Sequence, residues 1–359
     1  MTPIALLLLA APQAHGAPPQ PEFLPATQEE GLPPRENLVL PGEKHFGVVR
    51  RLTTSGENAE GYFNWAGDRI SYQATVGDRK CDQIYVLDLL TGARRLVSTG
   101  TGRTTCAYFL PDDRRVLFAS THAADDGCLP PPDYSKGYVW KIYPQYDLYV
   151  RDLDTWELTP LAPAPGYDAE AVVSPRGDKI VFTSRRNGDL DIYLMNLDGT
   201  GLVQLTHELG YDGGPFFSPD GSQIVYRAYH PQTPEEKQRY LDLLAEDTIE
   251  PMALQIFVMD ADGGNKRQIT DNGAANFAPY FHPDGKRIIY CSNQDSASGR
   301  DFDLYLINVD GTGNERITFN PSFDGFPMFS HDGKRLIFAS NRANSAPHDT
   351  NLFLAEWID

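Results

Sequence analysis

The chain alternates short runs of β-branched and aromatic residues with tight polar turns, and the alternation repeats. The phrase DIYLMNLDGTGLVQLT (191–206) returns as DLYLINVDGTGNERIT (303–318) and, altered in its first half, as QIFVMDADGGNKRQIT (255–270). Aligned on its aromatic, the phrase marks Tyr85, Tyr149, Tyr193, Phe257, Tyr305 and Phe353, so six units are expected. Upstream of the aromatic stand turns such as SPRGD (174–178), SPDGS (218–222), HPDGK (282–286) and SHDGK (330–334), flanked by runs such as KIVFTS and RLIFAS. Asp-Gly and Pro-Asp-Gly suit hairpin turns, because Gly and Asp tolerate the positive φ that tight turns need. Each unit therefore reads as four short antiparallel strands, the size of one propeller blade.

Fourth-strand endings occur at Leu52-Thr53, Leu96-Val97, Leu161-Ala162, Leu205-Thr206, Ile269-Thr270 and Ile317-Thr318. The last unit, ending NLFLAEWID, has no fourth strand of its own, whereas VRRLT (49–53) is a strand with no unit before it. The expected fold is all-β: a six-bladed β-propeller of four-stranded antiparallel blades, its N-terminal strand closing the last blade, with one helical insertion in blade four. Closure covers the strand edges that an open array would expose.

The order S-P-D-G, apolar strand, T/A-S-R/N, D-I/L-Y, D-G, I/L-T resembles the repeat of TolB-type periplasmic propellers and covers Val49 to about Ile358. Similar repeats occur in the propeller domains of prolyl-oligopeptidase-like peptidases, so the resemblance implies the fold and leaves the function open. Unlike TolB, the chain is expected to lack an α/β domain before the propeller. Residues 1–16, MTPIALLLLAAPQAHG, carry an apolar run too short to span a bilayer and then a small-x-small cleavage site, and read as a secretory signal, although no Lys or Arg precedes the run. The Pro-rich stretch 17–44 reads as a linker and 45–359 as the propeller. A periplasmic or secreted monomer is expected.

A formal net charge of −18 over 359 residues argues against nucleic-acid binding, which needs a basic stripe. Two long insertions, about 121–145 in blade two and 230–254 in blade four, fall on the same rim, here called the top, and long loops gathered on one face mark a binding surface. In the second, Thr233, Pro234 and Glu236 write a capped helix start, and Tyr240, Leu241, Leu243 and Leu244 form a stripe expected to pack on the rim. In the first, Tyr134, Tyr138, Trp140 and Tyr143 are either a recognition surface or the core of their own loop.

Three aligned columns supply candidate chemistry. Asn58, Thr104, Asp168, Asp212, Asn276 and Asp324 form a short-side-chain polar ring at the channel mouth, with Glu60 and Glu170 beside it. These are candidates for a Ca²⁺ site, or each bonds its own turn. Val76, His122, Arg186, His230, Gln294 and Arg342 start the insertions; Arg186 and Arg342 join the candidate binding set, and His122, His230 and the nearby His207 are candidate metal ligands. Gln83, Asp147, Asp191, Gln255, Asp303 and Asn351 repeat in all six units and are read as architecture. No G-x-S-x-G elbow, H-E-x-x-H or phosphate-binding glycine loop is present. Cys81, Cys106 and Cys128 map to the top of blades one and two, where Cys106 has either neighbour as a candidate disulfide partner, and Cys291 lies within a strand. Two functions follow: a scaffold that binds a protein or glycan partner through its top face, or a metal-dependent polysaccharide lyase or hydrolase at the channel mouth.

Overall fold

In the computed structural model, which describes residues 32–359 other than 35, 252 and 345, six four-stranded antiparallel sheets stand around one axis. Their first strands are Glu57–Phe63, Thr104–Phe109, Asp168–Val173, Tyr211–Phe217, Asn276–Phe281 and Asp324–Phe329. These touch one another from blade to blade and line the axis. The sixth blade takes its outer strand from the start of the chain: Phe46–Arg51 pairs antiparallel with Asn351–Trp357, with Arg51 opposite Phe353. The fold is the expected six-bladed propeller, closed as the orphan strand required.

The repeated aromatic is explained by its partner. On the neighbouring second strand it faces Tyr72, Phe118, Phe182, Tyr226, Tyr290 or Phe338, one ring pair in every blade. Phe338 and Phe353 are fully buried with centroids 5.8 Å apart. Such a pair adds about 0.5–1.5 kcal/mol beyond the area it buries.

The column two residues earlier is architectural, as read. The hydroxyls of Thr206, Thr270, Thr318 and Thr53 donate to Asp191, Gln255, Asp303 and Asn351, at 2.8–3.2 Å. Each also accepts the N–H of the next third-strand residue, Ile192, Ile256, Leu304 or Leu352. Ser98 does the same for Gln83 in blade one. Blade two has Ala162 at that point, and Asp147 Oδ1 there is buried without a partner.

The signal-like residues 1–16 and most of the Pro-rich segment lie outside the described residues. The end of that segment is docked rather than loose. Leu38 N–H donates to the Val49 carbonyl, and the buried Glu43 carboxylate holds Arg342 at 2.7 and 3.0 Å. Among the described residues no helix is long and apolar enough to cross a membrane.

Candidate functional site

The two insertions meet over the channel. Trp140–Lys141 of the first pairs antiparallel with Thr248–Ile249 of the second, a two-stranded sheet outside the six blades. The helix Pro234–Ala245 starts at Thr233 with the reciprocal capping expected from Glu236. Tyr240 and Leu244 bury against the rim, and Tyr240 Oη donates to Asp189 at 2.5 Å; Leu241, on the same stripe, stays exposed. The aromatics of the first insertion divide between the two roles considered for them. Tyr143 is buried and donates to the Pro130 carbonyl at 2.7 Å, whereas Tyr134 and Tyr138 are 58% and 56% exposed. Trp140 turns inward, its ring 5.1 Å from the Arg227 guanidinium and 5.2 Å from the Phe277 ring.

Beneath that sheet each first strand carries a β-bulge. The bulge residues are Glu60, Cys106, Glu170, Gly214, Ala278 and Phe326, all at φ between 46° and 58°. A bulge re-aims its side chain. Glu60, Cys106, Glu170 and Phe326 each keep part of their surface accessible. Two residues further on stand Tyr62, Tyr108, Val172, Phe216, Tyr280 and Met328, all buried. Tyr62 of blade one lies 5.6 Å from Phe216 of blade four, so this ring of side chains fills the axis and leaves the upper channel blind.

The upper channel is polar on one side. The Glu170 carboxylate accepts from Thr183 Oγ1 at 2.8 Å, Gly214 N at 2.9 Å and Tyr211 Oη at 3.1 Å, and it pairs with Arg227. Arg227 also donates to Tyr211 Oη at 2.9 Å. Burial pulls the guanidinium toward neutrality, but the adjacent Glu170 carboxylate outweighs it and keeps it charged. Gly213 and Gly214 make this possible: a Cβ on Gly214 would fall 2.4 Å from the Arg227 guanidinium, and one on Gly213 would fall 2.3 Å from Tyr211 Oη. Glu60 is different. Its Oε2 is buried with no hydrogen-bond partner, and burial pushes its carboxyl up to about 7 against the lowering contact of the Cys106 thiol. Burial, then Glu60, raises the Cys106 thiol well above its ordinary value.

The polar ring is engaged blade by blade. Its members are buried, and each carboxylate is engaged by the cation of the second column in its own blade: Arg186 on Asp168 at 2.8 Å, His230 on Asp212 at 3.0 Å, Arg342 on Asp324 at 2.7 Å. Asn58 and Asn276 bond backbone carbonyls of the adjoining loops, and Thr104 donates to the Asp82 carbonyl. Asn58 Oδ1, Asp168 Oδ1 and Asp212 Oδ2 nevertheless stay buried without a hydrogen-bond partner, and among the described residues no three His, Cys, Asp or Glu side chains are grouped so as to hold a metal ion. Arg186 and Arg342 are held within these pairs.

The three histidines do not assemble either. His122 Nδ1 bonds Ser120 Oγ at 2.8 Å and its ring packs on Tyr149; His230 lies between Asp212 and Glu208; His207 is exposed. Among the described residues no group of three or more His, Cys, Asp or Glu could hold a metal ion. Cys81 pairs with Cys128, which leaves Cys106, the pairing candidate from the sequence, free because its bulge turns it toward Glu60.

The family model for the TolB β-propeller domain matches residues 138–235 and 249–347, more than half the chain. Among solved structures, TolB from Acinetobacter baumannii superposes with a TM-score of 0.54 at 20% identity over 73% of this chain, which spans 55% of that protein's length. A candidate TolB from Agrobacterium tumefaciens gives 0.56 at 17% identity, over 85% of this chain and 92% of the other. An oligogalacturonate lyase in complex with manganese gives 0.53 at 15% identity, over 90% and 96%. At these identities the likeness is one of fold.

Proposed function

This chain belongs to the TolB β-propeller domain family, and from that premise we propose that it is an exported binding module whose insertion-bearing face receives a protein or glycan partner. The observation that carries the reading is the pairing of the two insertions into one sheet over a blind, polar channel. A loop costs conformational entropy to order, and two loops ordered against each other on one face build a surface that the propeller itself does not need. Exposed Tyr134 and Tyr138 supply apolar area with polar tips there, the composition found at binding surfaces. Export is supported by the signal-like residues 1–16 and by the Cys81–Cys128 disulfide, which belongs in an oxidising compartment. The lyase or hydrolase alternative has less support, because its candidate histidines form no metal-holding group among the described residues.

The test is capture from the envelope fraction of the native host by immobilised protein, against a variant whose residues 123–137 are replaced by a short Gly-Ser turn. Cys81→Ser is included because the replacement removes Cys128, its disulfide partner. The variant should keep its circular dichroism and lose the captured partner. Equal capture by both proteins would place the binding surface elsewhere.

A further inference from the structure

Glu60 lies in the upper channel with no ion-pair partner of its own. Among the described residues no Lys, Arg or His lies within ion-pair distance of it, whereas Glu170 has Arg227. The charged and titratable groups facing Glu60 are Cys106 from blade two, Glu170 from blade three, Arg227 from blade four, Asp82 from blade one and Tyr62 on its own strand. Blades five and six present Ala278 and Phe326 at the equivalent bulges and add no charge. With Glu60 ionised, the group of Glu60, Glu170 and Arg227 is one negative charge in excess.

A second observation points to a ligand at this place. The Oε2 of Glu60 is buried with no hydrogen-bond partner, an acceptor left open in the channel. A buried acceptor left unpaired costs about 1–3 kcal/mol, which a donor brought against Glu60 recovers. The walls are aromatic: Tyr62 and Phe216 below, Phe326 beside, Trp140 above. A carboxylate among aromatic rings favours an organic cation, which gains an ion pair and ring-face attraction together. A metal ion is disfavoured, because it needs several oxygen ligands and no three ligating groups meet here.

We propose that the upper channel is a receptor for a single alkylammonium group, paired with Glu60 between the aromatic floor and Trp140. The inference rests on the binding-module reading and specifies the chemistry of what is bound: a free amine or a lysine side chain of a partner. Binding exchanges the proton of Glu60 for the ammonium charge. The Glu60 carboxyl loses its proton to solvent, the ammonium keeps all of its own, and no covalent bond forms.

The test is calorimetric titration of the full chain with putrescine and, separately, with Nα-acetyl-lysine amide, in buffers of different ionisation enthalpy. One saturable site is expected for at least one probe, with release of up to one proton at pH 7 and affinity that rises toward pH 8. Glu60→Gln should weaken binding about tenfold or more and abolish the proton release, whereas Glu235→Gln on the outer helix should change neither. Putrescine alone binding identifies a free amine; the lysine probe binding identifies a partner's side chain. Binding of neither, binding that survives Glu60→Gln, or saturation by a neutral sugar such as maltose with no response to amines overturns the proposal. Loss of amine binding with partner capture intact would sink this inference alone, because capture depends on the insertions.

Discussion

Glu60 and Glu170 occupy the same bulge position in blades one and three, and their surroundings give them opposite characters. Glu170 has four donors; Glu60 has an unpaired buried oxygen and a carboxyl pushed up to about 7, chiefly by burial. The sign of its effect on stability follows. A carboxyl whose folded value is raised holds its proton more tightly than the unfolded chain does, so stability falls as pH rises from about 4.5 to about 7. Glu60→Gln removes that loss. It should unfold at higher urea than the wild type at pH 8, by an amount on the order of 2 kcal/mol, with the gain shrinking toward pH 5. A gain independent of pH would show that Glu60 does not titrate in this window. Arg227 is the converse case: Arg227→Ala leaves Glu170 buried and uncompensated, and should cost about 3–5 kcal/mol in the same experiment.

The polar ring marks where sequence reading succeeded and where it stopped. The repeat alignment isolates Asp168, Asp212 and Asp324 as one column and Arg186, His230 and Arg342 as another, without showing that the two columns touch. The structure joins them, always at a separation of eighteen residues: each acid sits at the start of a first strand and its cation just beyond the end of the second. The matching was visible, since an acid in one column always has a base in the other, while Asn276 has Gln294 and Asn58 has Val76. The upper channel was less accessible. The alignment places Glu60 and Glu170 beside the ring, but the bulge that aims them inward is a backbone event with no side-chain signature. Arg227 hid within the strand IVYRAY, where a charge flanked by apolar residues and the preceding Gly213-Gly214 were the only hints.

At the scale of elements, the additions to the propeller are held by local devices that can be removed one at a time. The helix Pro234–Ala245 depends on its cap: Thr233 Oγ1 accepts from Glu236 N at 3.1 Å, and the Glu236 carboxylate takes the N–H groups of Gln232 and Thr233. Thr233→Ala should cost about 1 kcal/mol, seen as faster amide exchange in the first helical turn with the blade amides unchanged. The first insertion is tied to blade one by Cys81–Cys128. Cys128→Ser should lower stability by about 2–4 kcal/mol, whereas Cys106→Ser should have a much smaller effect, a difference read from thermal melts. Equal effects would mean that the disulfide does not form. Helix, cap and rim-facing stripe were all legible from the TPEE start and the spacing of Tyr240 and Leu244. The strand Trp140–Lys141 was not, because two residues carry no period and the pairing exists only through Thr248–Ile249, more than a hundred residues away.

For the molecule as a whole, ring closure and binding face are separable. Deleting residues through Thr53 removes the sixth blade's outer strand, the Glu43 partner of Arg342 and the hydroxyl that Asn351 needs. It should lower the melting temperature far more than deletion through Pro41, which loses only the contacts of the docked segment around Leu38. Similar melting temperatures for the two truncations would contradict a closed ring.

Binding through the insertion-bearing face is tested most directly by a photocrosslinking residue placed at four exposed positions. Tyr134 and Tyr138 lie on the insertion face, while Leu90 and Leu202, 88% and 40% exposed, lie on the turns of the opposite face. Irradiation in the native envelope should give a discrete adduct from Tyr138, from Tyr134 or from both, and none from Leu90 or Leu202. Adducts from Leu90 or Leu202 with none from either tyrosine would contradict the account.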